Sequence, residues 1–166
     1  MIRNAYFAGG CFWCITPIYK FQSGVLSVRC GYCGGREERP TYEEVKSQKT
    51  GHRETVCVTY DDAKISFDRL FEIFLANVDP FDGGGQYIDR GRSYTLAVYY
   101  TDGGERAAAE ARLAALENES KRKTFVSLEA FSSYWEAEEY HQDYFEKNPE
   151  AFEKELYASG RKKGRT

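Results

Sequence analysis

The sequence predicts an α+β fold, a two-layer split βαβ sheet of ferredoxin-like order covered by helices and carrying long loops. Three observations predict it. Short β-prone runs alternate with amphipathic helical runs; their order begins strand, helix, strand, strand, helix, strand, which is that of a split βαβ unit; and glycine-rich stretches open loops longer than a compact domain usually holds, a sign of function. With 166 residues, 42% hydrophobic and 16% aromatic, the chain has material for one core but not two. A single domain over residues 1–152 is expected, followed by a polar, basic tail over 153–166.

Asn4 to Ala8 reads as a short strand, and Gly9-Gly10 lets the backbone turn tightly into the aromatic, apolar run Cys11 to Phe21. Pro17 lacks a backbone donor, so the helix there must kink or begin near Thr16. Val25 to Cys30 is a second strand. Residues 31–53, with Gly34-Gly35, Pro40 and Gly51, have loop composition around at most a short turn of helix. Thr55 to Tyr60 alternates as a half-buried strand does. Phe67, Leu70, Phe71, Phe74 and Leu75 follow i, i+3, i+4, i+7, i+8 spacing, which puts five large side chains on one helical stripe. Asp79-Pro80 ends that helix and Gly83-Gly84-Gly85 opens a loop. Tyr94 to Tyr100 is strongly β-prone, Glu105 to Glu117 is alanine-rich and helical, and Phe125 to Ala130 is a last strand. A helix around Ala137 to Lys147 and a tail that frays from Glu153 complete the expectation.

The formal net charge is -3, with 30% charged residues, so no basic field draws in nucleic acid or an anionic membrane. No apolar run approaches the roughly 20 residues that span a bilayer, and the opening Met1 to Phe7 carries no signal-peptide core. A cytoplasmic, monomeric protein acting on a small group or a peptide is expected. Five cysteines, an odd number, in a reducing compartment favour catalysis or metal binding over a disulfide framework.

All five lie at or before Cys57, in two CxxC pairs and one single. Cys11 leaves a strand through Gly9-Gly10 at a helix start, where unpaired N–H groups and the positive dipole end stabilise a thiolate; this predicts a lowered thiol pKa and a nucleophile. Phe12 and Trp13 are bulky for a turn unless they line a pocket. The same cysteines permit a rival: Cys11-x2-Cys14-x15-Cys30-x2-Cys33 has the spacing of a four-thiolate structural zinc site. A thioredoxin-like use of Cys11 and Cys14 is disfavoured by the missing βαβ preface.

Gly10-Cys11-Phe12-Trp13 resembles the GCFW signature of the A-type peptide methionine sulfoxide reductases. In the family's order, Gly31-Tyr32-Cys33-Gly34-Gly35 is similar to its GYxGG, Pro40 to Val45 to its PxYxxV and Gly51-His52-Arg53-Glu54 to its GHxE. Asp89 to Tyr94 is similar to its DxGxxY, and Glu138 to Tyr144 to its AEDYHQxY. Several matches in register over nearly the whole domain weigh far more than one.

The resemblance implies thiol-dependent reduction of methionine S-sulfoxide, free or in oxidised proteins, by Cys11 attack on the sulfoxide sulfur. The oxygen must be protonated as charge develops on it. By resemblance Glu54 is that acid, Tyr32 and Tyr94 donate hydrogen bonds to the oxygen, Phe12 and Trp13 receive the S-methyl group, and Asp89 orders substrate and water. A carboxyl buried among aromatics favours its neutral form, as a proton donor requires. His52 and His141 are expected to be structural. No metal or bound cofactor is implied, only an external thiol reductant such as thioredoxin, glutaredoxin or a dithiol.

Attack leaves a sulfenic acid on Cys11 that another thiol must resolve. Many relatives resolve it with cysteines near the C-terminus, and none follows Cys57 here. Cys14 and Cys33 are the local resolving candidates, Cys14 the preferred one. Thr16 and Thr95 also depart from the residues common in the family, respectively acidic and arginine.

Overall fold

The computed structural model describes residues 1–161. Strand β1 (Ile2–Gly9) runs through the middle of a six-stranded sheet and is buried on both faces from Ala5 onward. Helix α1 (Phe12–Lys20) follows, then β2 (Val25–Cys33), a short α2 (Tyr42–Lys46), β3 (Arg53–Asp61) and α3 (Phe67–Ala76). A two-residue ribbon pairs β4 (Gly85–Gln86) with β5 (Asp89–Arg90). A 3-10 turn over Arg92–Tyr94 leads into β6 (Leu96–Tyr100), α4 (Gly103–Ser120), β7 (Ser127–Ala130) and β8 (Tyr134–Glu136). A second 3-10 turn (Glu139–His141), α5 (Tyr144–Lys147) and α6 (Pro149–Ser159) close the described chain.

The strand order is β7-β6-β1-β3-β2-β8. Strand β3 lies between β1 and β2 and is antiparallel to both, while β6 and β7 run parallel across the α4 crossover. The result is a mixed α+β fold.

Side-chain alternation along the strands splits the interior in two. Ala5, Phe7, Val28, Cys30, Tyr32, Val56 and Val58 meet α1 and α3 in the main core. On the opposite face Tyr6, Ala8, Cys33, Cys57, Ala97 and Tyr99 pack beneath Phe131 and Tyr134. The stripe predicted on α3 buries Leu70, Phe71 and Phe74, and its Ser66 N-cap accepts from Arg69 N.

Four local expectations change. Helix α1 starts at Phe12 and carries Pro17 inside it; its first turn is tightened by Cys14 N donating to Cys11 O at 3.1 Å, and Thr16 Oγ1 donates to Phe12 O at 2.9 Å. Strand β2 runs on through Tyr32 and Cys33, because β8 pairs along its edge with Gly31 opposite Glu136 and Cys33 opposite Tyr134. The helix expected over 137–147 is replaced by a 3-10 turn and a four-residue helix. Gln142 is the reason: its carboxamide accepts from Cys30 N and donates to Cys30 O and Ala137 O, binding this segment to β2, and Asp143 then takes a left-handed φ of 54°. Finally, Glu153 to Ser159 lies in α6 instead of fraying, and Arg161 beyond it is buried; residues 162–166 of the expected tail lie outside the described residues.

Candidate active site

Gly10 turns the chain from β1 into α1 with φ +92°, a conformation that suits a residue without Cβ. Cys11 follows as the N-cap of α1, partly exposed, and its side chain makes no capping bond. On the neighbouring strand β3, Glu54 points to the helix-bearing face and is only 1% exposed. The two are joined by the main chain: Phe12 N donates to Glu54 Oε1 at 3.1 Å. Glu54 Oε2 is buried without a hydrogen-bond partner.

Burial pushes the Glu54 carboxyl up to about 8, with the Asp89 and Cys14 charges adding to the shift and the Phe12 N–H opposing it. The group is therefore largely protonated at neutral pH, and Oε2 is the oxygen free to carry and present that proton.

The Cys11 thiol moves opposite to the sequence expectation. A hydrogen bond with the Cys14 thiol, then burial, then the charges of Cys14, Glu54 and Asp89 hold it well above its ordinary value. The helix N-terminus does not win, because Phe12 N–H already serves the Glu54 carboxyl. A neutral Glu54 removes one of these opposing charges and so eases ionisation of Cys11.

Rings wall the site. Phe12 is buried against Tyr32, Tyr42 and His141 at centroid distances of 5.9, 6.3 and 5.2 Å. Trp13 is partly exposed, stacks on Tyr144 at 4.0 Å and donates from Nε1 to His141 Nδ1 at 3.0 Å. Burial lowers the His141 pKa to about 4, so the ring is neutral and accepts that bond, a structural role. His52 is also buried; its Nδ1 accepts from Gly35 N at 3.2 Å and its Nε2 meets Glu37 O at 2.8 Å, pinning the loop after β2.

Asp89, in β5, is partly buried and close enough to raise both Glu54 and Cys11. Tyr94 ends the 3-10 turn, two residues before the start of the strand predicted to hold it. Burial first, then Glu54, Tyr42, Asp89 and Cys11, raise its hydroxyl, which places it in the same cluster. Tyr32 is opposite Glu54 in the β2–β3 register, and its hydroxyl donates to Glu138 Oε1 at 2.8 Å.

The four CxxC sulfurs do not converge. Cys30 Sγ lies 3.2 Å from Thr16 Oγ1 beneath α1, whereas Cys33 is on the other face of the sheet, in the second core. A zinc ion needs four ligands at about 2.3 Å, so the zinc alternative lacks its geometry; no cluster of metal-ligating side chains occurs among the described residues. Cys33 is likewise separated from Cys11 by the sheet, while Cys14 touches it.

Sequence reasoning missed Tyr42, Glu138 and Arg161. Arg161 donates from Nη2 to Gly9 O at 2.6 Å and from Nη1 to Asn77 O at 3.1 Å, beneath the turn that carries Cys11. Nothing in local pattern announces a residue held by such remote carbonyls.

A partly exposed helix-cap thiol beside a neutral buried carboxyl, walled by aromatic rings, is the kind of site a thiol-dependent oxidoreductase carries. Comparison with known proteins makes the class specific. The family described as "Peptide methionine sulfoxide reductase" matches residues 3–165. The peptide methionine sulfoxide reductase MsrA of Bacillus licheniformis is 42% identical over 159 residues, covering 95% of this chain and 88% of that protein. Among solved structures, methionine sulfoxide reductase A of Corynebacterium diphtheriae superposes with a TM-score of 0.80 at 29% identity, covering 89% of this chain and 76% of that one. Mxr1 of Saccharomyces cerevisiae in reduced form gives 0.83 at 25% identity, covering 90% and 87%. The chain belongs to the peptide methionine sulfoxide reductase family.

Proposed function

We propose that this protein reduces methionine S-sulfoxide, free or in exposed segments of oxidised proteins, to methionine. The observation that carries the reading is the neutral Glu54 carboxyl with an unpartnered Oε2, bonded through Phe12 N to the residue next to Cys11.

In the first half-reaction the Cys11 sulfur attacks the sulfoxide sulfur while Glu54 protonates the oxygen, so charge is quenched as it forms. The S–O bond to methionine breaks, the oxygen passes to Cys11 as a sulfenic acid, and methionine leaves as the thioether. The partly exposed face of Trp13 receives the S-methyl group, and Asp89 orders the polar side of the substrate. In the second half-reaction the Cys14 thiol attacks the sulfenic sulfur, forming a Cys11–Cys14 disulfide and releasing water. An external dithiol, of the thioredoxin or glutaredoxin kind, then returns both thiols and is itself oxidised. The cycle needs thiols and one proton donor, with no bound cofactor.

Cys14 is preferred to Cys33 as resolving thiol because it lies on the face of Cys11. Residues 1–152 are read as one reductase domain, monomeric and cytoplasmic, onto which the rest of α6 and Arg161 pack. No helix among the described residues is long and apolar enough to cross a membrane. The β6-β1-β3-β2 portion of the sheet is read as the split βαβ, ferredoxin-like unit, with β3 between β1 and β2.

A stereopure substrate assay tests the activity. Methionine released from the S sulfoxide and not from the R sulfoxide is the expected outcome; the reverse preference would remove the A-type assignment.

A further inference from the structure

Arg53 and Glu54 are neighbours on β3, and strand alternation sends their side chains to opposite faces of the sheet. Glu54 enters the site. Arg53 enters the second core beside Tyr99, where only 4% of it is exposed. Its Nε donates to Thr95 Oγ1 at 2.8 Å, and its Nη1 donates to Tyr99 Oη at 2.9 Å and to Glu129 Oε2 at 2.5 Å. Glu129 supplies the countercharge that a buried guanidinium requires. The planar fork lets one cation serve β6, β7 and the end of the 3-10 turn together.

Thr95 is the residue after Tyr94. Its hydroxyl accepts from Arg53 and gives its own proton to Arg92 O at 2.7 Å, so the turn that ends at Tyr94 is closed from the far face of the sheet. At its middle residue the same turn is held by Gln48, whose carboxamide accepts from Ser93 N at 2.9 Å and donates to Ser93 Oγ at 2.7 Å. The residue before the proposed acid thus grips the residue after Tyr94. Neither partner is fixed by a family motif: Arg53 fills the variable position of Gly51-His52-Arg53-Glu54, and Thr95 departs from the common arginine.

We propose that Arg53 is a positioning residue: through the Thr95 hydroxyl it sets where Tyr94 stands relative to Glu54, so that both groups reach the sulfoxide oxygen at once. The inference rests on the methionine sulfoxide reductase reading of the site. Arg53 touches no reacting atom, because the sheet lies between it and Cys11. Its effect is geometric, and small misplacements are costly where reacting groups must be aligned. Breaking the bond to Thr95 while keeping a cation beside Glu129 separates this role from a contribution to folding alone.

The experiment measures kcat and KM for methionine S-sulfoxide with dithiothreitol as reductant. It compares wild type, Thr95→Val, Thr95→Ser, Arg53→Lys, the Arg53→Lys/Thr95→Val double variant and each of the first and third again in a Tyr94→Phe background. Thr95→Val keeps the side-chain shape and removes the acceptor; Arg53→Lys keeps the charge for Glu129 but lacks the fork that also reaches Thr95. Each lowers kcat by about tenfold with KM little moved, part of the roughly 100-fold that an ångström of misplacement costs. Thr95→Ser, which retains the hydroxyl, stays close to wild type. The double variant loses no more than the worse single variant, since both remove one bond, and in the Tyr94→Phe background either substitution changes kcat by less than about twofold. A folded Thr95→Val or Arg53→Lys protein with wild-type kcat would overturn the proposal. So would a loss that persists undiminished when Tyr94 is phenylalanine, or a Thr95→Ser protein as slow as Thr95→Val is expected to be. A wild-type chain that releases no methionine would instead refute the reading on which the proposal rests.

Discussion

Phe12 N donates to Glu54 Oε1 at 3.1 Å across a buried contact, so the proposed acid is held by the residue next to the proposed nucleophile. One hydrogen bond thus fixes the distance between helix α1 and strand β3 at the point where chemistry occurs. It also separates the two carboxyl oxygens: Oε1 serves the main chain, and Oε2 has no hydrogen-bond partner and is the oxygen the proposed mechanism uses.

Glu54→Gln keeps the acceptor for Phe12 N but removes the transferable proton. Reduction of methionine S-sulfoxide should slow by a factor on the order of 10 to 10,000, the range over which positioned acids act. In wild type the rate should fall as pH rises through about 8, where Glu54 loses its proton. That limb should be missing from the kcat/KM profile of the variant.

The same carboxyl makes stability depend on pH. Its folded pKa of about 8 lies above the ordinary 4.5, so between these values the folded chain holds a proton that the unfolded chain has lost. Stability is therefore greatest at the low end of this window and declines as pH rises through it, by up to about 1.4 kcal/mol per pH unit from this group. Denaturant midpoints from pH 5 to 8 should show a steeper decline for wild type than for Glu54→Gln.

Cys14 and Cys33 separate by face. Cys14→Ser should still release one methionine per enzyme in a single turnover, since Cys11 is intact, and should then accumulate a sulfenic acid and recycle poorly with a thioredoxin-type reductant. Cys33→Ser, in the core on the far side of the sheet, should recycle as wild type does. Trapping the sulfenic acid with dimedone and weighing the protein distinguishes the two.

Arg161 clamps the nucleophile turn from below. Its guanidinium bonds Gly9 O and Asn77 O and lies 5.0 Å from the Tyr87 ring, and a Cβ on Gly10 would meet Nη2 at 2.5 Å. Arg161→Ala leaves two carbonyls without their donor and should lower stability by about 1–3 kcal/mol. Arg161→Lys, which cannot span both acceptors with a planar fork, should fall between the two in thermal denaturation.

Much of this was legible in the chain. The α3 stripe of Leu70, Phe71 and Phe74 is local pattern answering to one core, and the turn at Gly9-Gly10 into Cys11 is fixed by backbone sterics. Motif register singled out Glu54, Tyr94 and Asp89, residues whose types alone are common on any surface. What escaped was set by tertiary contacts. Strand β8 is three residues long and exists because β2 offers it an edge. Glu138 gains its place from a tyrosine 106 positions away, and Arg161 from a carbonyl 152 positions away. The thiol pKa runs against the sequence expectation because a helix terminus is visible in sequence, whereas the Cys14 thiol and two carboxyls that oppose it are brought together only by folding.

The most direct test is a single turnover of fully reduced protein with one equivalent of methionine S-sulfoxide, followed by disulfide mapping of the alkylated chain. The account predicts one methionine per chain and a loss of two thiols, with Cys11 and Cys14 joined and Cys30, Cys33 and Cys57 alkylated. Methionine release from a chain whose Cys11 remains alkylatable, or from Cys11→Ser, would contradict it.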